Sequence, residues 1–294
     1  MRIQIPAQAR EILYDPDTLL LISISGGKDS DTLTYQLLSE ELPCRTELLH
    51  CDLGRMDWHN TTEYVENFAE RVGLPLNVIR HEHGDLIDAI RARMKKRPDV
   101  PPFPSAKARY CTSSFKRSVT DRFARRRMPE QGHVIIAMGL RAGESASRRK
   151  KAIWSARKSA CAPTKGRFVW NWLPIHHFTL DDVWKTIREN GNIFHPAYSL
   201  ENPNSRLSCA MCVLANQNDL MNGAIHNPET YLELCRIELE SGFSFQPKKW
   251  LCSLRPDLLS DAERQRFAEL QATPRQPKAT STQPKSTPQQ LPLF

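Results

Sequence analysis

The residues best suited to chemistry stand in one short stretch, Ser25-Gly26-Gly27-Lys28-Asp29-Ser30. The two glycines can take positive φ and let backbone N–H groups approach a ligand closely. Ser25 and Ser30 add hydroxyl donors, and Lys28 adds a point charge suited to phosphate. The elements on either side must hold this turn. The apolar run Leu19 to Ile24 reads as a buried parallel strand, and Leu33, Leu37 and Leu38 follow at helical spacing. Strand, glycine turn and helix N-terminus together make a preformed anion site. The G-x-x-x-x-G-K-[ST] spacing is missing, so the stretch is not a Walker A loop.

The same alternation continues. Arg45 to Cys51, Leu76 to Arg80, His133 to Met138 and Val169 to Ile175 read as strands. Helices are expected from Thr61 to Arg71, from Asp85 to Lys95 and from a Thr179 cap to Arg188. The pattern predicts an α/β fold with a doubly wound, mostly parallel sheet. Ligands of such sheets sit beyond the carboxyl ends of the strands, which brings Asp52 to the mouth that holds the glycine turn. A turn-capping role for Asp52 is the competing reading. Residues 149 to 167 are polar and basic and read as a mobile loop near the substrate.

From residue 200 the character changes. Cys209-Ala-Met-Cys212 precedes two expected helices, Leu214 to Asn222 and Pro228 to Ser241. The organisation expected is a nucleotide-binding domain over 1–199, a helical C-x-x-C region over 200–270 and a tail over 271–294. The tail is rich in Pro, Gln, Thr, Ser and Lys and cannot bury a core, so it is expected to be disordered.

A net charge of +8 is gathered into three runs, at 91–97, 122–127 and 148–151, which favours a polyanionic partner over solvated helix faces. No apolar run is long enough to span a bilayer and the N-terminus lacks a signal-type segment, so a cytoplasmic protein without a membrane partner is expected. Eight cysteines in such a chain read as metal, cluster or redox residues rather than a disulfide scaffold. Cys209 and Cys212 suit chelation by two thiolates from one turn. A redox dithiol and simple buried thiols are the other readings; Cys44 and Cys51 read as strand or core residues, and Cys235 and Cys252 follow no pattern.

The glycine turn resembles the S-G-G-x-D-S PP-loop of the ATP-pyrophosphatase superfamily. The order of further pieces resembles its phosphoadenosine phosphosulfate (PAPS) reductase family: Asp52-Leu53-Gly54, Tyr110-Cys111-Thr112 with Lys116, Gly139-Leu140-Arg141 with Glu144 and Arg148, His195-Pro196-Ala197-Tyr198, and Ser205 to Cys212. The resemblance covers roughly residues 15 to 245. It implies an adenine-nucleotide α-hydrolase-like, Rossmann-like fold in which Ser25 to Ser30, Asp52, Gly139, Arg141 and Arg148 bind the nucleotide, ATP with Mg²⁺. It gives catalytic roles to Lys28, Asp29, Cys111, Arg141 and Glu144, with Glu144 orienting an arginine or a metal. Glu144 and Arg148 otherwise read as a surface i, i+4 pair.

The E-C-G-x-H segment with which assimilatory PAPS reductase attacks its substrate is absent, and so is a paired Cys-Cys. The chain therefore looks more like the sulfurtransferase branch, as in DNA phosphorothioation and iron–sulfur tRNA thiolation. On that resemblance Cys111 joins Cys209 and Cys212 in holding a [4Fe–4S] cluster, with zinc as the alternative and Cys161 or an open position as the fourth ligand. A nucleic acid, DNA favoured over tRNA, and a sulfur donor such as a cysteine desulfurase are the expected partners. Gln290, Leu291, Leu293 and Phe294 resemble the peptide by which bacterial proteins bind the DNA sliding clamp. Two other functions stay open: PAPS reduction through another cysteine, and a non-enzymatic, clamp-tethered nucleotide sensor.

Overall fold

Leu19–Ile24 forms β1 at the centre of a six-stranded sheet. The other strands are β2 (Arg45–Asp52), β3 (Leu76–Arg80), β4 (Gly132–Met138), β5 (Trp154–Ala156) and β6 (Arg167–Trp172), in the order β3-β2-β1-β4-β6-β5. All pairs are parallel except β5–β6, which is antiparallel at the edge. The computed structural model describes residues 2–128 and 132–273.

The helices are α1 (Ala7–Leu13), α2 (Lys28–Leu38), α3 (Thr61–Val72), α4 (Leu86–Lys96), α5 (Tyr110–Thr112), α6 (Ser118–Arg127), α7 (Ala146–Arg149), α8 (Leu180–Glu189), α9 (Gln217–His226), α10 (Pro228–Ser241) and α11 (Asp261–Ala272). Because β1 is apolar at nearly every position, it can be covered on both faces. Leu20, Ile22 and Ile24 meet Leu13, Leu33, Leu37, Val65 and Phe68 from α1, α2 and α3. Leu19 and Leu21 point the other way, to Ala124, Met128, Ala160 and Val169. The sheet is thus doubly wound and Rossmann-like.

The residues beyond 200 share a core with the sheet domain: Met211, Tyr231, Leu234, Leu251 and Phe267 pack in one cluster with Leu53, Ile87, Ile90, Phe103 and Phe115. Most expected boundaries lie within a few residues of the observed ones. Asp85 is the cap of α4 rather than its first residue, and its carboxylate accepts N–H bonds from Ile87 and Asp88. The expected helix from Leu214 begins at Gln217, because the Asn216 side chain caps it through the Asp219 N–H. α1 and α11 were not legible.

Residues 149–167 correct the expectation of a mobile loop. They contain β5, where Trp154 lies on Trp170 with ring centroids 5.3 Å apart. Arg157 is buried, ion-paired with Asp121, bonded to Asn171 Oδ1 at 3.0 Å, and donates its backbone N–H to Val169 O at 2.7 Å. The clamp-type peptide Gln290, Leu291, Leu293 and Phe294, with the tail from residue 274, lies outside the described residues.

Candidate functional site

β1 pairs with β2 on one side and β4 on the other, so the crevice beyond its carboxyl end is the switch point of the sheet. Ser25 to Gly27 lie there. Gly26 has φ +71°, and a Cβ on it would meet Tyr64 at 3.2 Å. Gly27 is the N-cap of α2, and Ser30 closes the turn through Oγ to Gly27 O at 2.7 Å. The first N–H groups of α2 therefore face the crevice without a partner inside the helix.

Gly139, just past β4, completes the cradle. A Cβ there would stand 2.7 Å from Asp29 O and 2.8 Å from its carbonyl carbon, so only glycine lets the end of β4 lie against the first turn of α2. Gly139→Ala is expected to push α2 outward, cost about 1–3 kcal/mol of stability by overpacking, and weaken nucleotide binding at least tenfold in titration calorimetry.

The charged groups form a connected line. Lys28 is buried, its Nζ lies 3.5 Å from Asp29 Oδ2 and 5.0 Å from the Tyr198 ring centroid, and it donates to Ser205 O at 3.1 Å. Asp29 also pairs with the buried Arg141. Glu144 accepts the Arg141 backbone N–H at 3.0 Å and pairs with Arg148 four residues on. Asp29 and Glu144 therefore orient cations that can meet phosphate oxygens. Asp52 does not join this line. Its carboxylate accepts Gly54 N–H at 2.6 Å and Arg80 Nε at 2.6 Å, the turn role rather than a ligand role. With Arg80, Trp58, His59 and Asn227 it borders a cleft of about 660 Å³ on the β2–β3 side of the mouth.

Asp31, one residue past the turn, is fully buried and accepts Tyr64 Oη at 2.6 Å. Burial pushes its carboxyl up to about 7. An unfolded aspartate ionises near pH 4, so folding stability is full below that value and falls as pH rises toward 7. Asp31→Asn removes this loss and is expected to raise the melting temperature at pH 8 but not at pH 4, by a stabilisation on the order of a few kcal/mol.

His195 is buried against Tyr64 and Trp58. Burial lowers its pKa to about 4, and its Nδ1 accepts Ala197 N–H at 3.2 Å, so it serves as a neutral structural group. The segment it begins folds over the glycine turn. Leu207 donates its N–H to Tyr198 Oη at 2.8 Å, and its side chain would lie 3.4–3.6 Å from a Cβ on Gly26 or Gly27.

That segment continues into Cys209 and Cys212. α9 fixes the turn from behind: Gly223 lies so close that a Cβ on it would be 2.1 Å from Ala210 O. Cys111 arrives on α5, which runs through a π-helical turn, Ser113–Arg117, into α6. That turn carries Lys116, an exposed residue; Cys209, Asp57, Cys51 and Cys212 outweigh its desolvation and hold its pKa above the ordinary value. Burial pushes the Cys209 thiol up, opposed by Lys116, with Cys212, Asp57 and Cys111 also in electrostatic reach. The structure thus gathers Cys111, Cys209 and Cys212 around one positive charge.

Cys161 is not with them. It bonds to the backbone of Val169 at 3.3–3.4 Å and packs against the cluster of Ala124, Met128 and Val169, toward the C-terminal end of α6 and away from Lys116 before its start. The fourth cysteine near Lys116 is Cys51, whose Sγ lies 3.9 Å from Lys116 O and 3.4 Å from Thr120 Oγ1. Asp57, Cys51 and the role of Lys116 were missed in the sequence. The one signal was that Cys51 directly precedes Asp52 at a strand end. Nearby, His50 Nε2 and Trp58 Nε1 are buried without a partner among the described residues.

The sequence matches the phosphoadenosine phosphosulfate reductase domain over residues 19–215. The chain belongs to this family. The matched span holds the glycine turn, Gly139 to Arg148 and the cysteines Cys111, Cys209 and Cys212; α9 to α11 lie beyond it. The chain is similar to the uncharacterized 37.8 kDa protein in the gpa 5' region of Escherichia phage 186, 26% identical over 262 residues, covering 76% of this chain and 75% of the phage protein. It is also similar to the tRNA-5-methyluridine(54) 2-sulfurtransferase of Pyrococcus horikoshii, 27% identical over 180 residues. That match covers 58% of this chain and 52% of the archaeal enzyme, so the chain spans about half the enzyme's length. A solved structure, Candida glabrata FMN adenylyltransferase with FAD and inorganic pyrophosphate, aligns over 62% of this chain and 54% of its own at 11% identity and a TM-score of 0.33. No helix among the described residues is long and apolar enough to cross a membrane.

Proposed function

We propose that this PAPS reductase-family protein cleaves ATP to AMP and pyrophosphate and transfers sulfur to a nucleic acid, with a DNA backbone phosphate as the favoured acceptor. One observation carries the reading. A single segment roofs the phosphate turn and bears the cysteines: Ser205 O accepts from Lys28 Nζ at 3.1 Å, and Cys209 follows four residues later. Four residues of chain span at most about 14 Å. Phosphate activation and sulfur delivery are therefore adjacent.

In the first step an acceptor oxygen attacks the α-phosphorus of ATP, and the bond to the β-phosphate oxygen breaks. The turn N–H groups, Lys28 and Arg141 stabilise the departing pyrophosphate. A sulfur nucleophile then displaces AMP from the activated acceptor. Mg²⁺ would travel on the nucleotide phosphates, since Asp29 and Glu144 are already paired with basic groups.

Cys111, Cys209 and Cys212 would hold a four-iron cluster, with a zinc ion as the alternative. A cluster held by them would supply an open iron for an exogenous sulfur anion, and Lys116 would hold that anion's charge. Sulfur supplied by a cysteine desulfurase fits this arrangement. Reduction of PAPS has the family match in its favour and predicts thioredoxin-dependent turnover without ATP.

The nucleic-acid partner is supported by the distribution of charge. Within 122–127, Arg122 and Arg126 face Glu82, Arg127 pairs with Glu47, and Arg125 bonds to Ser159 O. In the run 91–97, Arg91 and Arg97 are paired with carboxylates. Arg149, Lys150 and Lys151 are exposed and, like Lys95 and Lys96, have no carboxylate partner among the described residues; unlike those two they follow Arg141 and Arg148 out of the mouth. Lys150→Glu with Lys151→Glu is expected to weaken DNA binding at least tenfold and to lower the salt slope by about one per lysine. Arg126→Glu, at a position already facing Glu82, should change binding less than threefold.

The function itself is tested by incubating anaerobically reconstituted protein with ATP, labelled sulfide and DNA or tRNA, then digesting the nucleic acid for mass spectrometry. ATP-dependent label in one of them supports the proposal. Label in neither, with PAPS consumed when thioredoxin is supplied, replaces it with the reductase reading.

A further inference from the structure

Away from the mouth, a second set of ligand-type side chains is buried in the helical region. Cys235 and Glu238 on α10 and Cys252 on the turn Leu251–Ser253 are each 0% exposed, and their ligand atoms lie within 4.8 Å of one another. Spacing i, i+3 puts Cys235 and Glu238 on one face of the helix. The returning chain brings Cys252 to them and is tied there by Glu238, whose carboxylate accepts N–H bonds from Phe245 at 2.6 Å, Leu251 at 2.9 Å and Cys252 at 3.0 Å.

No Lys, Arg or His pairs with Glu238 among the described residues, and the surroundings are Leu234, Ile237, Phe245 and Leu251. Two thiols share the same space. A cation placed between the three groups would meet two sulfurs and one carboxylate oxygen inside an otherwise apolar pocket.

We propose that Cys235, Glu238 and Cys252 form a structural site for a zinc-class divalent cation. Two thiolates and one carboxylate oxygen suit zinc rather than magnesium or calcium, which take oxygen ligands. Sulfurs in a zinc tetrahedron stand about 3.8 Å apart, within the reach of this group. The ion staples the 245–252 segment to α10. α10 follows directly on α9, the helix that backs the Cys209–Cys212 turn, so the site braces that turn from a distance. It is independent of the proposed sulfur transfer.

The test uses the full chain with Cys111, Cys209 and Cys212 changed to Ala, so that the thiols at the mouth contribute nothing. Zinc alone is the probe, measured by elemental analysis after dialysis, and cobalt(II) serves as a spectroscopic substitute. The expected result is stoichiometric zinc, a thiolate-to-cobalt charge-transfer band, and a melting temperature that falls on chelation. Adding Cys252→Ala should remove the band and the chelator effect; adding Glu238→Gln should weaken zinc at least tenfold. Glu238→Gln retains the shape of the side chain and guards against a variant that fails to fold. Absence of zinc from the triple variant, zinc retention unchanged by Cys252→Ala, or a Cys235–Cys252 disulfide in the anaerobic protein would each overturn the proposal.

Discussion

Lys28→Met is expected to lower nucleotide turnover by about 10²–10³-fold while leaving the fold intact. Lys28 is the cation in the first turn of α2 that is proposed to meet the phosphates, and its neighbours hold it in place: Asp29 at 3.5 Å and Ser205 O at 3.1 Å. Pyrophosphate gains charge as it leaves, so a fixed ammonium stabilises the transition state more than bound ATP. The loss should therefore fall mainly on kcat, with KM for ATP moving less. Methionine keeps an unbranched apolar stem against Tyr198, 5.0 Å from the ammonium, so the packing of the roof survives. The readouts are AMP formation and a thermal melt. Full turnover with a lowered melting temperature would make Lys28 a roof anchor only.

The second large effect separates the two halves of the reaction. Cys209→Ser is expected to abolish sulfur incorporation, by at least about 10²-fold, yet leave ATP cleavage within a few-fold of wild type. The Cys209 thiol is pushed up by burial and opposed by Lys116, so its thiolate depends on that cation or on a bound metal. Lys116→Met should reproduce the loss of sulfur transfer. Residues that act as one unit are non-additive, so Cys111→Ser combined with Cys209→Ser should lose no more than either alone. Cys161→Ser, packed with Val169 and the far end of α6, should retain both activities. Equal loss of ATP cleavage in Cys209→Ser would show that the cysteines and the phosphate turn do not work as separable halves.

How much of this was legible depends on how local each signal is. The glycine turn could be read from neighbouring residues alone, because an apolar run, two glycines and a helical period follow one another without interruption. The outcome for β1 matches that reading residue for residue. β5 is only three residues long, too short to show a period, and it forms because Trp154 finds Trp170 across the hairpin. The pairing of Arg141 with Asp29 joins residues 112 positions apart, and no spacing rule connects them.

The cysteines show the same limit. Cys209 and Cys212 were recognisable as a pair because one turn holds both. Cys161 was a candidate fourth ligand beside an open position, and the β5–β6 hairpin holds it against Val169 and the far end of α6. Cys51 looked like a strand residue and is one, but α6 brings Thr120, and the π-helical turn before it the Lys116 backbone, to its thiol. Glu238 gave no signal at all, since its partners Phe245, Leu251 and Cys252 stand 7, 13 and 14 residues on, past the end of α10.

The most direct test of the account is whether ATP is cleaved between its α- and β-phosphates. Anaerobically purified protein would be incubated with Mg-ATP, alone and with DNA or tRNA, and the products separated. AMP and pyrophosphate are expected in equal amounts, stimulated by one nucleic acid and lost in Lys28→Met. ATP left intact under every condition, with the nucleotide nonetheless bound, would contradict it.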